Sequence, residues 1–170
     1  MCIRDSIVTD PSNDSMDVIY AATYGSIYRS ADGGASWSKS INGGNAYHNN
    51  VAITSNGVVY ATLSSDGSSS GRGIWRSDDG INWTKINDAM FPPIYARIAI
   101  GINPLNENEI YFLAAETDGY GQHTDVFFGG ETWTSLWKYE YVSGNGTGSG
   151  GIWTDLSSNI PVSYTHLRAH

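Results

Sequence analysis

Apolar positions along this chain come in short runs, and clusters of Ser, Asn, Asp, Thr and Gly separate one run from the next. Within several runs the apolar and polar residues alternate, as in Ile27 and Arg29 against Tyr28 and Ser30. Alternation with period two places successive side chains on opposite faces of a half-buried strand. The runs are rich in Tyr, Ile, Val and Trp, which fit a pleated surface. Stretches of Leu, Ala, Glu and Lys at helical spacing are missing. The pattern predicts strands at 7–9, 18–23, 26–30 and 37–41, then at 51–54, 58–63, 73–77 and 83–86, and finally at 97–102, 110–115, 136–141 and 152–156. The chain is therefore expected to be all-β.

The runs also repeat. Asp17-Val-Ile-Tyr20 and Ser26-Ile-Tyr28-Arg-Ser30 align with Gly57-Val-Val-Tyr60 and Gly73-Ile-Trp75-Arg-Ser77, and again with Glu109-Ile-Tyr111 and Ser135-Leu-Trp137. Tyr20, Tyr60 and Tyr111 correspond, as do Tyr28, Trp75 and Trp137, and then Trp37, Trp83 and Trp153. The first two units are offset by 40 to 47 residues, the length of a four-stranded propeller blade. The units divide the chain into 7–49, 50–95 and a longer 96–161.

Each of the first two units carries the same turn before its last strand. Ser30-Ala-Asp32-Gly-Gly34-Ala-Ser-Trp37 and the shorter Ser77-Asp-Asp79-Gly80-Ile-Asn-Trp83 place a serine, an aspartate, a glycine and a tryptophan in order; the third unit keeps only Trp153. An aspartate there accepts hydrogen bonds from the turn's own amides, glycine takes backbone angles that a β-carbon penalises, and the tryptophan is expected to cover the turn. These turns resemble the Asp-box of BNR-repeat β-propellers, a group that includes the sortilin-type, xyloglucanase-like and sialidase propellers. The resemblance spans nearly all of 7–161 and implies a partial β-propeller of about three four-stranded antiparallel blades. Because the Asp32 and Asp79 turns recur in each unit, they read as structural: a turn is needed in every blade, a catalytic site only once.

The ends interrupt this pattern. Residues 1–6 (MCIRDS) and 162–170 (VSYTHLRAH) resemble translated sequencing-adapter read-through and are set apart from the fold, so the natural product is expected to extend beyond both ends. Setting them aside removes Cys2, Arg4, Asp5, His166, Arg168 and His170, which leaves no cysteine, 7 basic and 16 acidic residues, and a net charge near −9. An acidic chain repels phosphate backbones, so no nucleic-acid partner is expected. Without cysteine there is neither a disulfide framework nor a thiolate metal site. No apolar run is long enough to span a membrane, and neither a cofactor nor a metal is expected.

Strand order assigns the loops to two ends. Asp-box turns and first-to-second strand turns share one end; second-to-third loops and unit-to-unit connections share the other, where propellers usually place ligands. The spacing Tyr20 to Tyr28 is 8, Tyr60 to Trp75 is 15 and Tyr111 to Trp137 is 26, so growth concentrates at that second end. Candidate ligand-binding residues there are Tyr47, His48, Tyr95, Arg97, Tyr120, Gln122 and His123, with Asp66, Asp118 and Asp125 as the carboxylates available for catalysis. Aromatic rings beside carboxylates and amides suit a sugar, the rings covering pyranose faces and the polar groups reading hydroxyls. The loop 117–134 also carries Phe127, Phe128 and Trp133, which serve equally as an apolar anchor for a long loop.

Two functions follow. The first is a binding or scaffolding module of a larger extracellular or bacterial cell-surface protein, taking a carbohydrate or protein ligand and packing against the remaining blades of its own chain. The alternative is a glycoside hydrolase of the xyloglucanase-like type, which needs two carboxylates about 6.5–9.5 Å apart for an inverting reaction. A sialidase would need an arginine triad. Of the internal arginines Arg29, Arg72, Arg76 and Arg97, two occupy repeat positions, leaving too few. Asn13-Asp-Ser15, Asn82-Trp-Thr84 and Asn145-Gly-Thr147 match glycosylation sequons.

Overall fold

The computed structural model describes residues 6–125 and 131–161, and of Ser68, Thr124, Asp125 and Glu131 the backbone alone. Among the described residues thirteen strands form three antiparallel sheets. The first contains β1 (Ile7–Thr9), β2 (Ile19–Thr23), β3 (Ser26–Ser30) and β4 (Ser38–Asn42), side by side in chain order. The second repeats that order with β5 (Asn49–Ile53), β6 (Val59–Leu63), β7 (Gly73–Ser77) and β8 (Thr84–Lys85). The third contains β9 (Ile98–Ile102), β10 (Glu109–Ala115), β11 (Gln122–Asp125), β12 (Glu131–Tyr141) and β13 (Gly151–Asp155). Here β11 and β13 both lie along β12, whose other edge pairs with β10.

The expected strands are present to within a few residues, but the third unit differs at its enlarged loop. The stretch 117–134, expected as a loop, contains β11, and β12 starts at Glu131 instead of 136. Gln122 and His123 find ladder partners in Thr134 and Trp133, so backbone pairing satisfies amides that an irregular loop would leave to solvent. Phe127 and Phe128 lie outside the described residues.

The ladders place equivalent residues at equivalent positions. Tyr20 lies opposite Arg29, Tyr60 opposite Arg76 and Tyr111 opposite Lys138. On the other face Tyr28 pairs with Ala21, Trp75 with Ala61 and Trp137 with Phe112. Two cores result. Val18, Tyr20, Ala22, Ile27 and Ile41 of the first sheet meet Val51, Val59, Ala61 and Leu63 of the second. The opposite face of the second sheet, through Tyr60, Ile74 and Ile86, meets Ile98, Ile110, Phe112, Trp137 and Tyr139, with Phe91 and Tyr95 filling in from the connection between the sheets. The middle sheet is therefore covered on both sides, and all five residues of β6 are buried. Each large side chain so covered contributes about 1.5–3 kcal/mol of transfer free energy.

The tryptophans that follow the box hairpins carry the stacking further. Trp83 donates its Nε1–H to Ser40 Oγ of the first sheet at 2.8 Å, and Trp153 donates to the Ile86 carbonyl, just after β8, at 3.0 Å. Trp153 also packs among Phe91, Phe112, Trp137 and Tyr139, with ring centroids 5.0 to 6.5 Å apart. Trp37 differs: it bonds to the Gly34 carbonyl of its own turn at 3.1 Å and is 42% exposed. Its counterparts thus tie neighbouring sheets together more than they cover their turns. Ser6, which the sequence places with the head, hydrogen-bonds Asn50 Oδ1 and the Val51 amide at 2.9 and 2.8 Å. Among the described residues no helix is long and apolar enough to cross a membrane.

Candidate functional site

The two Ser-x-Asp turns, after β3 and after β7, share one hydrogen-bonding scheme. In the first, Ser30 Oγ donates to Asp32 Oδ1 at 2.7 Å and accepts from the Gly34 amide at 2.9 Å. Asp32 in turn accepts from the Ser36 amide at 2.8 Å and the Ser36 hydroxyl at 2.5 Å. In the second, Ser77 Oγ bonds Asp79 Oδ1 at 3.0 Å and the Gly80 amide at 2.8 Å, while Asp79 accepts from the Ile81 and Asn82 amides and the Asn82 side chain. Donors aimed at a carboxylate favour its charged form. The Ser36 hydroxyl and amide, with the Ser30 hydroxyl, hold Asp32 down from 3.8 to about 2. The Asn82 and Ile81 amides lower Asp79 still further. Carboxylates so saturated with turn donors are poor proton carriers near neutral pH, which agrees with a structural role.

The opposite end of the sheets is built by the β2–β3 turn, the β6–β7 loop and the connections between sheets. Several sequence candidates converge there. His48 Nδ1 lies 2.9 Å from Asp66 Oδ2. The Tyr47 amide donates to Asp66 Oδ1 at 3.3 Å, and the Ser64 hydroxyl bonds the same oxygen. Asp66 thereby joins the β6–β7 loop to the connection between the first two sheets. Gly67, with φ of +65°, lets the loop lie flat on that connection, since a β-carbon would fall 2.2 Å from the Asn45 carbonyl oxygen and 2.9 Å from the Tyr47 ring.

Beside this pair stands an aromatic platform that sequence reading missed in part. Tyr24, at the tip of the β2–β3 turn, stacks on Tyr47 with centroids 5.5 Å apart and planes 19° from parallel. Both rings are about half exposed, 58% and 47%. Buried Asn49 fixes their backbones by donating to the Thr23 carbonyl at 2.5 Å, while the Gly25 amide bonds the Ala46 carbonyl at 2.9 Å. Tyr24 had one local signal, an aromatic next to a turn glycine, but its partner comes from 23 residues away in sequence.

The remaining candidates are placed elsewhere. Tyr95 is a core residue and not a surface one: it is 3% exposed, packs edge-on to Phe91 at 5.6 Å, and burial raises its hydroxyl pKa. Its backbone still anchors the site, with its amide and carbonyl both bonded to Ser65 Oγ at 2.8 Å. Arg97 is exposed just before β9. Asp118 and Tyr120 lie in an exposed turn of the third sheet, where Glu116 and Asp118 adopt φ of +57° and +45° and the Thr117 hydroxyl donates to the Tyr120 carbonyl at 2.5 Å. Gln122 and His123 are on β11, with the His123 ring 5.2 Å from Trp133. Asp125 is also on β11, its side chain outside the described residues. Among the described residues no group of three or more His, Cys, Asp or Glu is placed to hold a metal ion.

The site thus offers two half-exposed, nearly parallel rings and a histidine–aspartate pair in one patch. It can cover a flat apolar face and hydrogen-bond the polar groups at its rim. No family model, curated protein or solved structure matches the chain.

Proposed function

We propose that this chain is a run of three blades from a larger Asp-box β-propeller of an extracellular or bacterial cell-surface protein, serving as a binding module for a carbohydrate or a protein segment. The Tyr24–Tyr47 platform beside the His48–Asp66 pair carries the binding reading, because exposed stacked rings with adjacent hydrogen-bonding groups are what a sugar ring or an aromatic side chain packs against. Support for the propeller reading comes from two four-stranded meanders and a five-stranded antiparallel sheet stacked in chain order, and from the shared turn geometry. The outward faces of the first and third sheets still carry exposed apolar residues, Ile7 on one and Leu113 and Ile152 on the other, as further blades would cover.

Oligosaccharide-array screening followed by calorimetric titration tests the reading. Tyr24→Ala and Tyr47→Ala are each expected to weaken binding about tenfold, the effect of roughly 1.4 kcal/mol. Binding that is indifferent to both substitutions would remove the platform from consideration. Cleavage of the bound glycan, lost in Asp66→Asn, would replace the binding module with a glycoside hydrolase.

A further inference from the structure

At the box end, opposite the tyrosine platform, a cavity of about 230 Å³ opens between the second and third sheets. Its floor is formed by Tyr60 and Arg76, both almost fully buried, and its rim by Asn56, Asp78, Glu107 and Asn108. Arg76 is held firmly. Its two terminal nitrogens donate to the two oxygens of Asp78 at 3.0 and 2.6 Å, and its guanidinium lies 4.0 Å from the centre of the Tyr141 ring.

The third donor of that guanidinium is the unusual one. Among the described residues the buried Nε of Arg76 has no hydrogen-bond acceptor. The equivalent position in the first sheet shows what is missing there: Arg29 Nε donates to the hydroxyl of its cross-strand partner Tyr20 at 3.4 Å. Arg76 also interacts with its own cross-strand tyrosine, Tyr60, but no acceptor stands in hydrogen-bonding geometry at its Nε. A buried donor without an acceptor is destabilising, and here it borders a cavity large enough to bring one.

We infer that this cavity is a binding site for a neutral, hydroxyl-rich molecule of monosaccharide size, one of whose oxygens accepts from Arg76 Nε. Charge selects the class. The one cation is already compensated by Asp78, and Glu107 adds a second carboxylate, so an anion would meet repulsion at the rim. The Asn56 and Asn108 amides and the carboxylates supply both donors and acceptors, which suits vicinal hydroxyls and not an apolar ligand. Volume sets the size. The cavity is smaller than the roughly 300–1,000 Å³ of pockets for drug-sized ligands, yet equals about eight waters at ~30 Å³ each. The site is separate from the tyrosine platform and stands or falls independently of it.

The test uses the whole chain labelled with ¹⁵N, with the Arg76 Nε–H resonance assigned by its loss in Arg76→Lys. Glucose, galactose and xylose are titrated in turn, with acetate as the anionic comparison. At least one sugar is expected to shift the Arg76 Nε–H and the Asn108 amide saturably. Asn108→Leu, or Asn56→Leu if the first variant melts early, fills the mouth and is expected to raise the dissociation constant about tenfold or more. Tyr47→Ala is expected to leave it unchanged, which separates this site from the platform. Saturable shifts with acetate alone, no saturable shift with any probe, or a sugar response that survives both leucine variants would each overturn the assignment.

Discussion

Replacing Gly80 by alanine should destabilise the fold through two separate effects whose sizes follow from its surroundings. Gly80 has φ of +69°, in the left-handed region that an L-residue enters at a cost of about 1–2 kcal/mol. A β-carbon there would also stand 1.8 Å from the Tyr20 hydroxyl and 2.5 Å from its ring carbon. Tyr20 is 1% exposed, its ring fixed in the core between the first two sheets, so it cannot swing aside. Forcing such an overpacked contact costs about 1–3 kcal/mol more, for a total near 2–5 kcal/mol. Gly33 of the first box supplies the control. Its φ of +70° is nearly the same, but a β-carbon there meets nothing closer than an Asp17 oxygen at 3.7 Å. Gly33→Ala should therefore show only the backbone cost, about 1–2 kcal/mol. Urea denaturation of both variants, followed by tryptophan fluorescence, reads the difference. Equal destabilisation would mean that Gly80 is required for its turn alone and that the close approach of box to neighbouring sheet is unimportant.

Two further expectations separate local from inter-sheet roles. Trp153→Ala should cost about 3 kcal/mol, the low end of the range for truncating a core tryptophan, because its ring is partly buried yet sits among four aromatics and its Nε1–H bonds the neighbouring sheet; Trp37→Ala, on a half-exposed ring bonded to its own turn, should cost far less, and thermal melts of similar depression would contradict the stacking role. Asp32 has a folded pKa lowered to about 2 against 3.8, so its contribution is present above about 3.8 and is lost as pH falls through about 2; the melting temperature should decline over that acid window, Asp32→Asn should flatten the decline, and an identical acid profile in the variant would count against the box hydrogen bonds.

Much of this architecture was legible in the chain because strands and turns are local. Alternation marked β3, the Ser-x-Asp and Gly positions marked the box turns, and recurrence at a nearly fixed spacing marked the first two sheets as copies of one plan. The same locality explains the failures. The sequence predicts a loop where β11 lies because Gln122–Asp125 has little apolar signal of its own and becomes a strand only through the partner β12 provides. The sequence places Tyr95 among loop aromatics because nothing nearby in the chain shows that Phe91 and the third sheet enclose it.

The sequence by itself determined the all-β class, the sheet repeat and the residues that close each box, since each depends on contacts a few positions apart or on a period visible along the chain. Tertiary structure alone decided which face each sheet turns to its neighbour, that Trp83 and Trp153 reach back across those interfaces, and that Tyr24 meets Tyr47 beside His48 and Asp66. It also decided that Arg76 is buried beside a cavity with no acceptor in hydrogen-bonding geometry at its Nε, while Arg29 Nε meets the Tyr20 hydroxyl. The physical reason is the same in each case: local hydrogen bonds and alternation act over a few residues, whereas stacking distances between sheets are fixed by side chains that are remote in the chain and meet only when the sheets pack.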